Sequence, residues 1–173
     1  MVQKISYKEE KELQKQRFYR IIREKGNPWY HGTSITAAEL IEVEGFKKNV
    51  GQLGTAFYIT DSIEYAKSYA KKCGKGNGAI LELNIVDFSQ ILLASFIENA
   101  QYDQEARNYK HIVDEMLKGE KVAKINYIQY WVEKVKGLKG YGKVYNHKED
   151  APIKLAVYDT KILEVNNRNV IIF

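Results

Sequence analysis

The chain has one cysteine, three histidines and no apolar run near the ~20 residues needed to cross a bilayer. A lone Cys73 cannot close an internal disulfide, and no Cys or His stands near it at metal-ligand spacing. A disulfide scaffold and a structural zinc site are therefore not expected, and a reducing compartment fits. The opening residues through Glu10 lack the apolar core of a signal peptide. No internal repeat or low-complexity linker interrupts the chain. With 173 residues, 45% of them hydrophobic, it can bury one sizeable core, and residues 1–173 are read as a single domain. The net charge of +5 is a weak pointer to polyanionic partners.

Present instead are short apolar segments with clear periodicity. Residues 4–25 carry eight basic and four acidic side chains around Leu13, Phe18, Ile21 and Ile22. This predicts an N-terminal helix within residues 1–27, either laid on the core with a solvated basic face or serving as a nucleic-acid arm. Pro28 starts a short strand, Trp29 to His31. The spacing of Thr36 and Glu39 predicts a capping box for the next helix, which Gly45 ends with a left-handed residue. Gly51 to Gly54 reads as a loop and Ala56 to Ile59 as a strand. Asp61 and Glu64 repeat the capping signal for a helix whose inner side holds Ile63, Ala66, Tyr69 and Ala70. Leu81, Leu83 and Ile85 alternate with Glu82 and Asn84, the period of a half-buried strand.

Residues 98–140 read as a helical insertion, with Tyr109, Ile112, Val113, Met116 and Leu117 on one stripe and Ile128, Trp131, Val132 and Val135 on another. Gly137, Gly140 and Gly142 form a loop after it. From Lys121 to Lys148 seven lysines face the lone Glu133, with Tyr127, Tyr130, Trp131, Tyr141 and Tyr145 interleaved. That composition suits a single-strand nucleic-acid platform, or a core with a solvated rim. A last strand follows Pro152, and Val170 to Phe173 close the sheet.

Among the histidines, His31 stands out because Gly32 follows it and a glycine lets a ligand approach bare backbone. His111 and His147 have no obvious partners. Tyr30-His31-Gly32-Thr33, the helix ending at Gly45-Phe46, Gly54-Thr55-Ala56-Phe57-Tyr58-Ile59-Thr60-Asp61 and Tyr65-Ala66-Lys67-Ser68-Tyr69 together resemble the ADP-ribosyltransferase superfamily of the diphtheria-toxin and poly(ADP-ribose) polymerase type. In that family a His-Gly strand precedes a Gly-Lys-Gly-aromatic-Tyr segment, with a second tyrosine eleven residues on, the spacing of Tyr58 and Tyr69. The resemblance resumes at Ala156-Val157-Tyr158-Asp159 and covers about two thirds of the chain.

The resemblance implies an α+β fold, a split β-sandwich around an NAD cleft, with the N-terminal helix and the insertion as additions. It implies a mono-ADP-ribosyltransferase of the toxin or effector kind, expected to be monomeric, off the membrane, and cytoplasmic or delivered into a target cell's cytoplasm. Its partners would be NAD and a protein or nucleic-acid acceptor. Gly32 backbone would hold the nicotinamide carboxamide, Tyr58 and Tyr69 would sandwich the ring, and His31 would bond the adenosine ribose, with Thr33 completing the cofactor-binding motif. Nicotinamide leaves as a neutral base while the ribose becomes cation-like, so placement and electrostatics supply the rate.

Three positions depart from the pattern. Ala56 replaces the second glycine, Ala66 replaces a serine, and the usual third-position glutamate is Lys154, or Ile153 with a one-residue shift. Strand alternation favours Ile153 facing the cleft with Lys154 turned away, and Glu149 or Asp150 is an alternative carboxylate. An RNA 2'-phosphotransferase, whose pattern has a second histidine where Tyr58 stands, and a catalytically inactive NAD- or nucleotide-binding module remain as alternatives.

Overall fold

The computed structural model describes residues 4–24, 28–116, 118 and 126–172. Chain order runs α1 (Tyr7–Arg23), β1 (Trp29–Thr33), α2 (Ile35–Glu44), β2 (Asn49–Gly51), β3 (Gly54–Thr60), α3 (Ile63–Gly74) and β4 (Asn77–Ile85). It continues with β5 (Ile91–Ala94), α4 (Phe96–Arg107), α5 (Lys110–Met116), α6 (Tyr127–Tyr130), a π-helical turn (Trp131–Val135), β6 (Gly140–Lys143), β7 (Lys154–Val157) and β8 (Leu163–Ile172). The architecture is α+β. Its strands form one open sheet in the order β5-β6-β7-β3-β1-β4-β8, with β2 joined to β3 off that path.

In place of two separate layers, the sheet is pinched. β1 pairs with β4 from Trp29↔Leu83 to Thr33↔Ala79, and β3 pairs with β7 from Phe57↔Val157 to Thr60↔Lys154. β1 and β3 meet only at Tyr30↔Thr60. Continuing that register two residues would set Gly32 against Tyr58, but the Tyr58 carbonyl accepts instead from His31 Nδ1 at 2.7 Å. A ring nitrogen stands where a ladder partner would, and the half-sheets part beyond it.

Packing follows the pinch. On one face a continuous core joins Trp29, Phe57, Ile59, Leu81, Leu83, Ile153 and Leu155 with Phe18 of α1 and Ala38 of α2. On the other face burial is divided. Ala56, Ala156 and Tyr158 pack with Ile128, Trp131 and Val132 around α6, while Ile80 packs under Ala66 and Ala70 of α3.

Several local expectations change. The cap of α2 is Ser34, which accepts from the Ala37 N–H at 3.1 Å, and the cap of α3 is Ser62, which accepts from Tyr65 at 3.2 Å. Each lies one or two positions upstream or downstream of the residue expected, because a serine hydroxyl reaches the free amide as well as the neighbouring Thr36 or Asp61 would. Asp61 is engaged elsewhere, accepting from the Ile153 N–H at 2.9 Å and pairing with Arg17. Gly45 ends α2 with a positive φ of 91°, but its ψ of −179° makes it extended and not the left-handed helical residue expected. Ile63 and Tyr69 are exposed, so only Ala66 and Ala70 of the expected inner face of α3 are core.

The helical region runs from Phe96 to Val135, interrupted by residues 117 and 119–125 outside the description, and so starts before 98 and ends before 140. Phe173 also lies outside it. Val113, Ile128, Trp131 and Val132 are buried as the stripes required, whereas Met116 and Val135 are exposed. The π turn carries its hydrogen bonds five residues along and rotates Val135 off the stripe. Gly140 and Gly142 belong to a strand, not a loop. A Cβ on Gly140 would lie 2.5 Å from Ile91 Cδ1, and one on Gly142 2.6 Å from Leu93 Cδ2, so the glycines admit the side chains of β5.

Candidate functional site

The sheet's split opens a cleft of about 200 Å³ on the face where the two smaller cores diverge. Tyr30, His31 and Gly32 line it from β1, Tyr58, Ile59 and Thr60 from β3, and Tyr65, Ala66 and Tyr69 from α3. Val50 and Gly51 of the hairpin and Lys154 of β7 complete the wall. Of the residues singled out in the sequence, His31, Gly32, Tyr58, Tyr69 and Lys154 therefore come together. Thr33 pairs with Ala79 at the end of β1 and is not part of the lining.

Each wall has a local cause. Tyr58 Oη donates to the Gly54 carbonyl at 2.7 Å and accepts from the Leu53 N–H at 3.2 Å, which ties the phenol to the β2–β3 turn. A Cβ on Gly51 would meet the Tyr58 ring at 2.5 Å, so the hairpin backbone lies directly against that ring. The turn is held in turn by Tyr158 Oη, which donates to the Leu53 carbonyl at 2.7 Å, and by Gln129 Oε1, which accepts from the Thr55 N–H at 2.9 Å. Tyr65 and Tyr69, one helical turn apart, meet edge to face at 5.2 Å. Tyr69 is 40% exposed, so its ring is a wall and not part of the core. Tyr65 was quoted in the motif without a role; its four-residue spacing from Tyr69 is the signal that puts both rings on one helical face.

His31 is held from behind. Its ring lies 4.3 Å from Phe57, and because the Tyr58 carbonyl can only accept, Nδ1 carries the proton. Burial lowers its pKa, partly offset by that hydrogen bond. The imidazole is therefore neutral at pH 7, and Nε2 is an acceptor. Gly32 has a packing role that the sequence did not reveal. A Cβ there would fall 1.8 Å from the Ala66 carbonyl oxygen, so its bare side is filled by α3, not by a ligand. Beyond Tyr30, β1 has a strand partner on one side only, among the described residues.

The expected orientation of β7 is reversed. Ile153 is 0% exposed in the main core, beside Leu155 and Val157, and does not face the cleft. Lys154 faces the cleft instead, with Nζ 5.0 Å from the centre of the Tyr58 ring and 5.9 Å from that of Tyr145. Alternation itself holds; the register is the opposite of that expected because Asp61 takes the Ile153 N–H and anchors the start of β7. Glu149 and Asp150 do not supply a carboxylate. Their segment is drawn toward α1, where Arg17 donates to the Glu149 carbonyl at 2.7 Å and to the Ala151 carbonyl at 2.8 Å. No Asp or Glu is among the cleft's described lining residues.

The basic and aromatic stretch sorts the same way. Trp131 and Tyr141 are core, and Tyr127 donates to Asp103 at 2.6 Å. Residues 121–125 lie outside the described residues. Tyr145 is left 47% exposed, with Lys143 Nζ 4.9 Å from its centre. Burial lowers the pKa of Lys143; Asp103 opposes that shift and Lys154 adds to it. The Tyr145 phenol is pushed up to about 12 by burial and by Tyr69 and Tyr58. His147 packs 4.3 Å from Tyr7, a structural role, and His111 is exposed on α5.

The lining suits a flat, polar ring. Tyr58 and Tyr69 offer aromatic faces, and His31 Nε2 offers an acceptor for a hydroxyl. No protein-family model matches the chain, and no curated protein matches it either.

Proposed function

We propose that the cleft binds NAD and that the protein is a mono-ADP-ribosyltransferase resembling the diphtheria-toxin and poly(ADP-ribose) polymerase type, releasing nicotinamide. The observation that supports this reading is the convergence of His31, Gly32, Tyr58 and Tyr69, from three separate elements, on one cleft. Tyr58 and Tyr69 would flank the nicotinamide, and neutral His31 would accept from a ribose hydroxyl through Nε2. The Tyr58 ring, tied by its hydroxyl to the Gly54 carbonyl and the Leu53 N–H, would hold the leaving group in place for departure. Without a carboxylate in the lining, chain elongation is not part of the proposal.

A second reading, a nucleotide-binding module without turnover, is favoured by Lys154. Its ammonium beside a ribose gaining positive charge would oppose the reaction by about 4 kcal/mol at 4 Å and an effective dielectric near 20. Two measurements test the pair. Millimolar NAD is expected to raise the melting temperature, since a ligand specific for the folded state stabilises it by mass action. Tyr58→Ala is expected to weaken NAD binding by roughly 1 to 3 kcal/mol, the scale of stacking on one ring. No thermal shift in folded protein would refute both readings; binding without nicotinamide release would select the module.

A further inference from the structure

With His31 neutral, Lys154 is the one charged side chain at pH 7 among the described lining residues of the cleft. Its backbone is fixed from both sides, by pairing with Thr60 of β3 and with Lys143 of β6. The Asp61 bond to the preceding Ile153 N–H sets the face from which the Lys154 side chain leaves. Nζ stands 5.0 Å from the centre of the Tyr58 ring, the wall on which a pyridine ring would stack. Lys154 makes no ion pair among the described residues, and Asp61 is taken by Arg17. The neighbouring phenols do not neutralise it either. Burial raises the pKa of Tyr58 and pushes Tyr65 up to about 12, so both stay protonated at pH 7. The oxidised pyridine ring of NAD is itself a cation, and on the Tyr58 wall it meets an ammonium that has no counter-charge.

We propose that the cleft prefers a dinucleotide whose pyridinium ring carries a carboxylate in place of the carboxamide, and that Lys154 is the residue that reads it. The proposal rests on the reading of the cleft as a dinucleotide site and narrows its substrate class. A ring-borne carboxylate makes the pyridinium zwitterionic, which removes the net repulsion from Lys154. It also accepts a charge-assisted hydrogen bond from Nζ, whereas a carboxamide oxygen accepts only as a neutral group. Stacking on Tyr58 is kept, because either ring presents a flat face. The ring enters where the ammonium now stands. Lys154 also lines a neighbouring hollow of about 150 Å³, walled by Tyr65 and Tyr145, which leaves Nζ room to move to the ring's edge. The same carboxylate cancels the ammonium's charge as seen from the ribose, and with it the opposition that a carboxamide leaves in place.

The test uses the full chain and titration calorimetry with two probes, NAD and nicotinic acid adenine dinucleotide, at low and high salt. Both are expected to bind, the acid form about tenfold or more tightly, the scale of one charge-assisted hydrogen bond. That preference is expected to shrink as salt rises. Lys154→Gln is expected to remove it and Lys154→Arg to keep it. A purely structural role for Lys154 predicts otherwise, since lost packing weakens both dinucleotides alike and leaves their ratio unchanged. Equal affinities in the wild-type chain, tighter binding of NAD, or an undiminished preference in folded Lys154→Gln overturns the proposal and leaves the dinucleotide reading standing. Binding of neither probe to folded protein overturns both. If the variants do not fold, the wild-type ratio decides: a preference that weakens with salt supports the proposal, and one that salt leaves unchanged overturns it.

Discussion

Gly32 and His31 sit side by side on β1 and carry opposite burdens. Gly32 lets α3 descend onto the sheet, since its missing Cβ is where the Ala66 carbonyl oxygen comes to 1.8 Å. Gly32→Ala is therefore expected to cost at least about 1 to 3 kcal/mol by overpacking backbone against backbone. Urea unfolding measures it, and wild-type stability would show that α3 can move aside. His31 carries a pH dependence. Its pKa is lowered, chiefly by burial, from the ordinary 6.5, so below that value the unfolded chain binds more protons than the folded one. Stability is then full above about pH 6.5 and falls as pH drops through it. The urea midpoint is expected to fall between about pH 7.5 and 5.5, and His31→Gln to flatten that fall; identical slopes would exclude His31 as the source. His31, Gly32, Tyr58 and Tyr69 were legible as a group because each lies in a short local pattern. Lys154 and Ile153 were not, because a shift of one residue exchanges the faces of a strand and only the anchor at Asp61 settles it.

At the scale of elements, α1 acts as a clasp as well as a cover. Gln14, fully buried, donates to the Asn146 and Lys148 carbonyls at 2.8 and 2.7 Å and accepts from the Phe96 N–H at 2.7 Å. It thereby holds the segment leading into β7 against the start of α4. Gln14→Ala leaves those groups unpaired and is expected to destabilise by roughly 1 to 3 kcal/mol, read as a lower urea midpoint. An unchanged midpoint would mean that water replaces all three bonds. In the sequence Gln14 reads as one more polar residue of a charged helix, since a hydrogen bond to a segment more than a hundred residues away leaves no periodic trace. Gly140 and Gly142 mislead for a related reason: alone they read as loop, and only Ile91 and Leu93 across the ladder show what the missing side chains make room for. The alternation of β4 and the helical stripe at Ile128, Trp131 and Val132 were legible because burial there follows the element's own period.

Across the whole molecule, no helix among the described residues is long and apolar enough to cross a membrane. The sheet depends on a narrow junction: an apolar core runs unbroken along one face, while β1 and β3 share only Tyr30↔Thr60. Mechanically this arrangement would behave as a flexure, with a single paired position in the hydrogen-bonded layer backed by a continuous apolar core. Relative rocking of the half-sheets would widen or narrow the mouth between Tyr58 and Tyr69 without unfolding either half. Amides of His31 to Thr33 that face the gap are expected to exchange hydrogen faster than those of Leu81 to Leu83 in the doubly paired β4. Saturating NAD is expected to slow the first set and leave the second unchanged. Uniform slowing of both would instead mark a rigid sheet that a ligand stabilises only as a whole. In such a flexure a ligand held between the tyrosine walls would act as a splint, and the stiffness of the Tyr30↔Thr60 junction would set what it costs the walls to close on it.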